Sequence, residues 1–206
     1  MKTKNILVLI VISVIIASIL YTVYGSKDQT AYINAIRKER EEKDQFMRTA
    51  NESPFADSVA AFTGLKYYPA NLQYKVTASI VPIQAKKQVI LTTNDGKEER
   101  YMEYAYAEFD LHGFHNRLLI LEMIGMGPTR GKLFLAFGDR TSAEETYGAG
   151  RYLDVEKTPG SNTITLDFNK AYNPYCAYTE KFSCPLPPPE NLLSIPIAAG
   201  EKNYHP

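Results

Sequence analysis

The stretch LQYKVTASI, Leu72 to Ile80, decides how the chain is read. Leu72, Tyr74, Val76, Ala78 and Ile80 alternate with Gln73, Lys75, Thr77 and Ser79, the two-residue period of a strand with one face in a core. Upstream of Tyr68 the apolar spacing is helical, so the architecture changes here. Further segments of strand length follow at Gln88–Thr93, Glu98–Asp110, Arg117–Ile124, Lys132–Phe137, Arg151–Val155, Thr163–Asn169 and Leu192–Ile197. Asn94-Asp95-Gly96 joins the first two of these, and Asp-Gly supplies the positive φ that a tight hairpin needs. About eight short strands with turn signals between them predict a mainly β fold. The expectation is an antiparallel β-barrel or sandwich, preceded by one or two helices and an N-terminal membrane helix.

Three regions follow from composition. Residues 1–26 place Lys2 and Lys4 ahead of an uncharged run, almost wholly apolar from Ile6 to Tyr24. A helix rises about 1.5 Å per residue, so roughly 19 such residues cross a hydrocarbon layer of about 30 Å. The run reads as a signal anchor or transmembrane helix in the inner or cytoplasmic membrane, with the lysines holding the N-terminus inside and the domain extracytoplasmic. Val23-Tyr24-Gly25 is also a passable cleavage site, and cleavage would leave a secreted or periplasmic protein. Residues 27–52 read as a charged helical stalk or an outer helix laid on the domain: Ile33, Ile36, Phe46 and Met47 give a thin apolar stripe, and Arg37 to Lys43 mix charges at helical spacing. That charge run reads as a solvated face. Residues 53–206 form the β-rich domain, opened by Ser53-Pro54 as the cap and first turn of a short helix through Ala61.

Lys+Arg and Asp+Glu both number 23, so no basic field exists to hold a polyanion and nucleic acid is excluded as a partner. The membrane, through the N-terminal helix, and a small anionic or polar ligand remain as expected partners. No nucleophile triad, nucleotide-binding glycine loop or metalloprotease helix is present, and nothing calls for a cofactor. Asp110, His112 and His115 could be drawn as a metal site, but strand spacing argues against it unless the chain turns at Gly113, so no metal is assigned.

The candidate site comes from side-chain direction. In RYLDV, Arg151 shares a strand face with Leu153 and Val155, so it points inward, and an inward arginine needs an anion. That anion is either a protein carboxylate, with Asp139, Glu145 and the inward Glu201 as choices, or a ligand carboxylate or phosphate surrounded by Glu145, Tyr147 and Asp139. In TITLDFN, Ile164, Leu166 and Phe168 face a core, while Asp167 and Asn169 face water or a polar cavity. Arg151, Glu145, Tyr147, Asp139, Asp167 and Asn169 are therefore the candidate ligand-binding residues. The rival is a hydrolase-like or lyase-like enzyme with Glu145 or Asp167 as general acid or base, and a third reading is a structural envelope protein with no ligand. Cys176 and Cys184 enclose seven residues, and an exported location predicts a disulfide worth roughly 2.5 kcal/mol on the chain-entropy estimate. Pro185, Pro187, Pro188 and Pro189 then predict a rigid extended strap.

These residues also carry a family resemblance. SPF at Ser53, GLKYYP at Gly64, FGDRTSAEETYGAGRYLDV, LDFNKAYNPYCAY and CPLPPPENLLSIPIAAGEK together resemble the bacterial family named for domain of unknown function 1684, from roughly Ala31 to Lys202. The resemblance implies an exported or envelope-attached protein and offers no catalytic residues to carry over. Its hallmark positions here are Glu145, Tyr147, Arg151, Tyr152, Asp167, Asn169, Asn173, Cys176, Cys184 and Asn191.

Overall fold

A computed structural model describes residue 12 and residues 28–125, 127–157 and 159–205. The apolar run expected to enter a membrane lies outside the described residues apart from Ile12, and among the described residues no helix is long and apolar enough to cross one. Helix α1 occupies residues 28–49, a stretch without glycine or proline. Its Ile36 and Met47 are buried while Lys38 and Glu42 pair on the exposed side. The cap expected at Ser53 forms, with the Phe55 N–H donated to its Oγ, but the chain makes only turns and a 3-10 segment at Val59–Ala61.

Seven strands follow: β1 (Lys75–Pro82), β2 (Gln88–Thr92), β3 (Glu98–Leu111), β4 (Phe114–Met123), β5 (Leu133–Phe137), β6 (Arg151–Leu153) and β7 (Thr163–Asp167). All pair antiparallel in the order β6-β5-β4-β3-β1-β7, with β2 also on β3. Long β3 carries β2 on its first half and β1 on its second, both on the edge opposite β4. The sheet curls into a half-barrel, ending at β6 on one side and β7 on the other. Between barrel and sandwich the fold is thus an open, curled version of the first.

Both faces of the central strands are buried, which explains why LLIL (118–121) and LFLAF (133–137) read as unbroken apolar runs. Leu118, Ile120, Leu135, Phe137, Ile164 and Leu166 pack on one face with Leu193, Ile195, Ile197 and Ala199. Leu119, Leu121, Phe134, Ala136 and Tyr152 pack on the other with Cys184 and Phe182.

The expected eighth strand, Leu192–Ile197, is the correction. Its in-out burial alternates as a strand's would, yet it forms no ladder beyond a single bridge at Leu192. Pro196 has no N–H to donate, and β4 and β5 diverge beyond Leu121 and Phe134. The fully buried side chain of Asn191 fills that divergence: its Oδ1 accepts the Leu119 N–H at 2.6 Å, and its Nδ2 donates to the carbonyls of Leu119 at 2.9 Å and Ala136 at 2.8 Å. One amide thus satisfies three buried backbone groups that water cannot reach.

Two turns set the register. Gly96 has the positive φ expected of Asp-Gly, and the Thr93 N–H closes the β2–β3 hairpin onto the Lys97 carbonyl at 2.9 Å. His112 and Gly113, with φ of 54° and 80°, form a second two-residue hairpin that extends the β3–β4 ladder to its tip. There His115 meets Asp110 at 3.0 Å on the surface while His112 packs on Tyr74, and among the described residues no group of three or more metal-ligating side chains assembles.

Candidate functional site

Arg151 points inward, as its strand position requires, and is 1% exposed. Its Nη2 donates to Asp139 Oδ2 at 2.8 Å and to the Ile197 carbonyl at 2.9 Å. Nη1 donates to the carbonyls of Ala199 and Glu201. Asp139 Oδ1 in turn accepts from the Thr141 N–H and hydroxyl and from the Ile197 N–H. The anion that Arg151 needs is therefore Asp139, the protein carboxylate, which corrects the ligand-fork reading: the arginine's two terminal nitrogens are occupied inside the core. Its role is to hold the 197–201 segment against β6.

Glu145 and Tyr147 are also drawn elsewhere. Glu145 is exposed and pairs with Lys202 at 2.9 Å, which holds its carboxyl below the usual range. Such a group is a poor general base for a buried reaction. The Tyr147 hydroxyl lies 3.7 Å from Cys176 Sγ, and burial pushes it up to about 12.

The cysteines are a second correction, because the structure holds both as free thiols. The Cys176 N–H donates to Cys184 Sγ at 3.3 Å. Without a covalent staple, the strap is fixed by hydrogen bonds to the end of β2 and its turn: Cys184 N–H to the Asn94 side-chain Oδ1 at 2.7 Å, Asn94 N–H to the Cys184 carbonyl at 3.0 Å, and Leu186 N–H to the Thr92 carbonyl at 2.8 Å.

Asp167 and Asn169 do line a cavity, of about 960 Å³ and open to solvent, between α1 and the two edges of the half-barrel. Leu153 of β6 and Thr165 of β7 reach it from either side, so it occupies the seam where a closed barrel would have continued its ladder. Helix α1 lies over this seam. Tyr32, Ile36, Arg40, Lys43 and Met47 fall at spacings of four, four, three and four residues on one helical face, the face turned to the domain. The Tyr32 hydroxyl donates to both Asp167 oxygens, at 2.7 and 2.9 Å, and burial followed by this bond pushes it well above its ordinary value, so it remains a donor. Lys43 reaches Glu201, fully buried, at 3.0 Å; Glu201 also accepts from Asn173 Nδ2 at 2.9 Å and from the Tyr178 hydroxyl. The inward Glu201 was legible in the sequence, but its cation comes from α1, where Arg151 had been one choice.

Arg40 is the residue that the sequence reading missed. Its Nη1 and Nη2 donate to the carbonyls of Tyr68 at 2.8 Å and Asn169 at 3.2 Å, and its guanidinium lies over the Tyr67 ring at 4.4 Å. Burial lowers the guanidinium from its ordinary value, against the opposing pull of Tyr67, Tyr32 and Asp167, and an arginine so placed stays charged. Its Nε and the Tyr67 hydroxyl are buried with no hydrogen-bond partner among the described residues. Two residues that line the cavity thus each carry a buried, unmet donor, at a cost of about 1–3 kcal/mol apiece.

Residues 60–202 match the family described as Protein of unknown function (DUF1684). The chain belongs to this family. Among solved structures it is similar to the solution NMR structure of an uncharacterized protein from gene locus rrnAC0354 of Haloarcula marismortui, at 34% identity and a TM-score of 0.65, over 85% of this chain and 96% of that one. No curated protein matches the chain. The Haloarcula likeness covers more of the chain than residues 60–202 contain, so it extends beyond the DUF1684 region. Within that region lie Tyr67, Asp167 and Asn169, whereas Arg40 and Tyr32 precede it. The cavity therefore has one wall from the DUF1684 domain and one from α1.

Proposed function

We propose that this DUF1684 protein is a binding domain for a small organic anion, seated in the seam between α1 and the half-barrel. The observation that carries the reading is the pair of unmet donors, Arg40 Nε–H and Tyr67 O–H, buried on two residues that line a cavity large enough for a metabolite. Entry of the ligand turns these two side chains toward an acidic oxygen that accepts from both, and Asp167, Asp154 and Glu156, which also line the cavity, take hydroxyl or amino groups of the same molecule. We further propose that the domain works outside the cytoplasm, held by residues 1–26; the support is the lysine-flanked apolar run.

The test is a thermal-shift screen of the protein against small carboxylates, phosphate esters and sulfate esters, followed by titration of the best hit on two variants. Arg40→Met removes the cation but also two bonds that pin α1. Tyr67→Phe removes only a buried hydroxyl without a partner among the described residues, so its unliganded melting temperature should be no lower than wild type and is expected to rise. Loss of one charge-assisted hydrogen bond is worth about 1.5–3 kcal/mol, so Tyr67→Phe is expected to weaken the hit by roughly 10- to 100-fold. Equal affinity in wild type and both variants would overturn the assignment.

A further inference from the structure

We propose that Cys176 and Cys184 form a redox-active dithiol that exchanges with small disulfides, with Cys176 as the attacking thiol and Cys184 as the resolving one. This site is separate from the ligand cavity, since neither cysteine nor Tyr147 lines it. The division of labour follows from access and partners. Cys176 is half-exposed and Cys184 buried, so only Cys176 can be approached from solution. The Tyr147 hydroxyl is 3.7 Å from Cys176 Sγ and stabilises negative charge there. The Cys176 N–H favours charge on Cys184 instead, but the hydrogen bond that Cys184 gives to Cys176, and then burial, oppose ionising that sulfur and leave Cys176 as the thiolate. The hydrogen bond from Cys184, with that from Tyr147, holds Cys176 down to about 7.

The fold brings the two sulfurs together without a bond between them. Asn94 clamps Cys184 from one side, and on the other Cys176 sits in the short 3-10 turn Tyr175–Ala177. Tyr175 in that turn packs on Phe182 from the far arm of the loop, with ring centroids 5.1 Å apart. A reduced form held this well is an alternative to a permanent staple, and a stabilised thiolate makes the corresponding disulfide easier to reduce.

In the first step the Cys176 thiolate attacks a disulfide RS–SR, forming a mixed Cys176–SR disulfide and releasing RS⁻. Cys184 then loses its proton to solvent and attacks Cys176 Sγ; the intramolecular bond forms, the S–SR bond breaks and a second RS⁻ leaves. Two protein thiols are oxidised, and one disulfide is reduced to two thiols.

Oxidised glutathione is the probe, with intact-mass readout on the reduced protein. Wild type is expected to lose two hydrogens without retaining glutathione, and Cys184→Ser to accumulate one glutathione on Cys176. Cys176→Ser should stay unmodified while folded. In Cys184→Ser the serine hydroxyl takes over the donor role of the Cys184 thiol beside Tyr147, so the rate should still rise through a lower pH than for an ordinary thiol, and Tyr147→Phe should move that midpoint up. Equal labelling of the two single variants would overturn the proposal, as would a wild-type bridge that excess reduced glutathione cannot open, the behaviour of a staple.

Discussion

Replacing Asp139 with alanine is expected to lower the unfolding free energy by about 3–5 kcal/mol, because it leaves the Arg151 guanidinium charged in a site with no other carboxylate bonded to it. Both side chains are 1% exposed, so solvent screens neither of them. The same change strips acceptors from the Thr141 and Ile197 N–H groups, which adds to the loss. Set against a typical margin of about 5–15 kcal/mol, a large part of the protein's stability depends on this one carboxylate. Urea denaturation measures it. The double variant Asp139→Ala, Arg151→Met is expected to lose less than the sum of the two single changes, since removing both charges leaves none stranded. Strictly additive losses would show that the pair is not coupled and that Arg151 is neutralised by something else.

Gly200→Ala should have an effect of similar size by a different route. Gly200 has φ of +76°, and a Cβ there would lie 2.6 Å from the Ala171 carbonyl oxygen and 2.7 Å from that of Phe168. The left-handed conformation costs a non-glycine residue about 1–2 kcal/mol, and overpacking against backbone adds about 1–3 more. Gly113→Ala separates the two terms: its φ is +80° but nothing lies within 4 Å of the added carbon. Thermal unfolding should therefore show a clearly larger drop for Gly200→Ala than for Gly113→Ala. Equal drops would mean that the loop at 168–171 yields to the methyl group, and that this close approach does not fix the position of Glu201.

The half-barrel was legible where only one strand face is apolar. Val76 to Ile80 and Thr163 to Leu166 alternate for that reason, whereas the ends of the two runs, Leu72–Tyr74 and Phe168–Lys170, are 3-10 turns and not strand, and Asn94-Asp95-Gly96 announces its turn by composition. The His112-Gly113 hairpin was not announced, since histidine is a less usual occupant of a left-handed position than asparagine or aspartate. Leu192–Ile197 reads as a strand because burial alone generates its alternation; the missing ladder is visible only once β4 and β5 are seen to part around Asn191.

For the site, direction was legible and partnership was not. Arg151 and Glu201 both point inward as the strand period requires, but which anion meets which cation depends on elements far apart in sequence. Arg40 was concealed in a run of charges that reads as a solvated face. The signal lay in spacing: Arg40 and Lys43 sit between Ile36 and Met47 on the stripe that those two buried residues define. Charged residues inside an apolar stripe are the ones a domain keeps for itself.

The most direct test of the binding reading is native mass spectrometry of the protein purified from its own cells with no ligand added, beside the variant Thr165→Trp. Thr165 is exposed on β7 and faces the cavity, so tryptophan fills the space while suiting the strand. The account predicts that wild type carries a small organic anion which the filled variant lacks. The same adduct on both proteins, or bare chain mass on both, would contradict it.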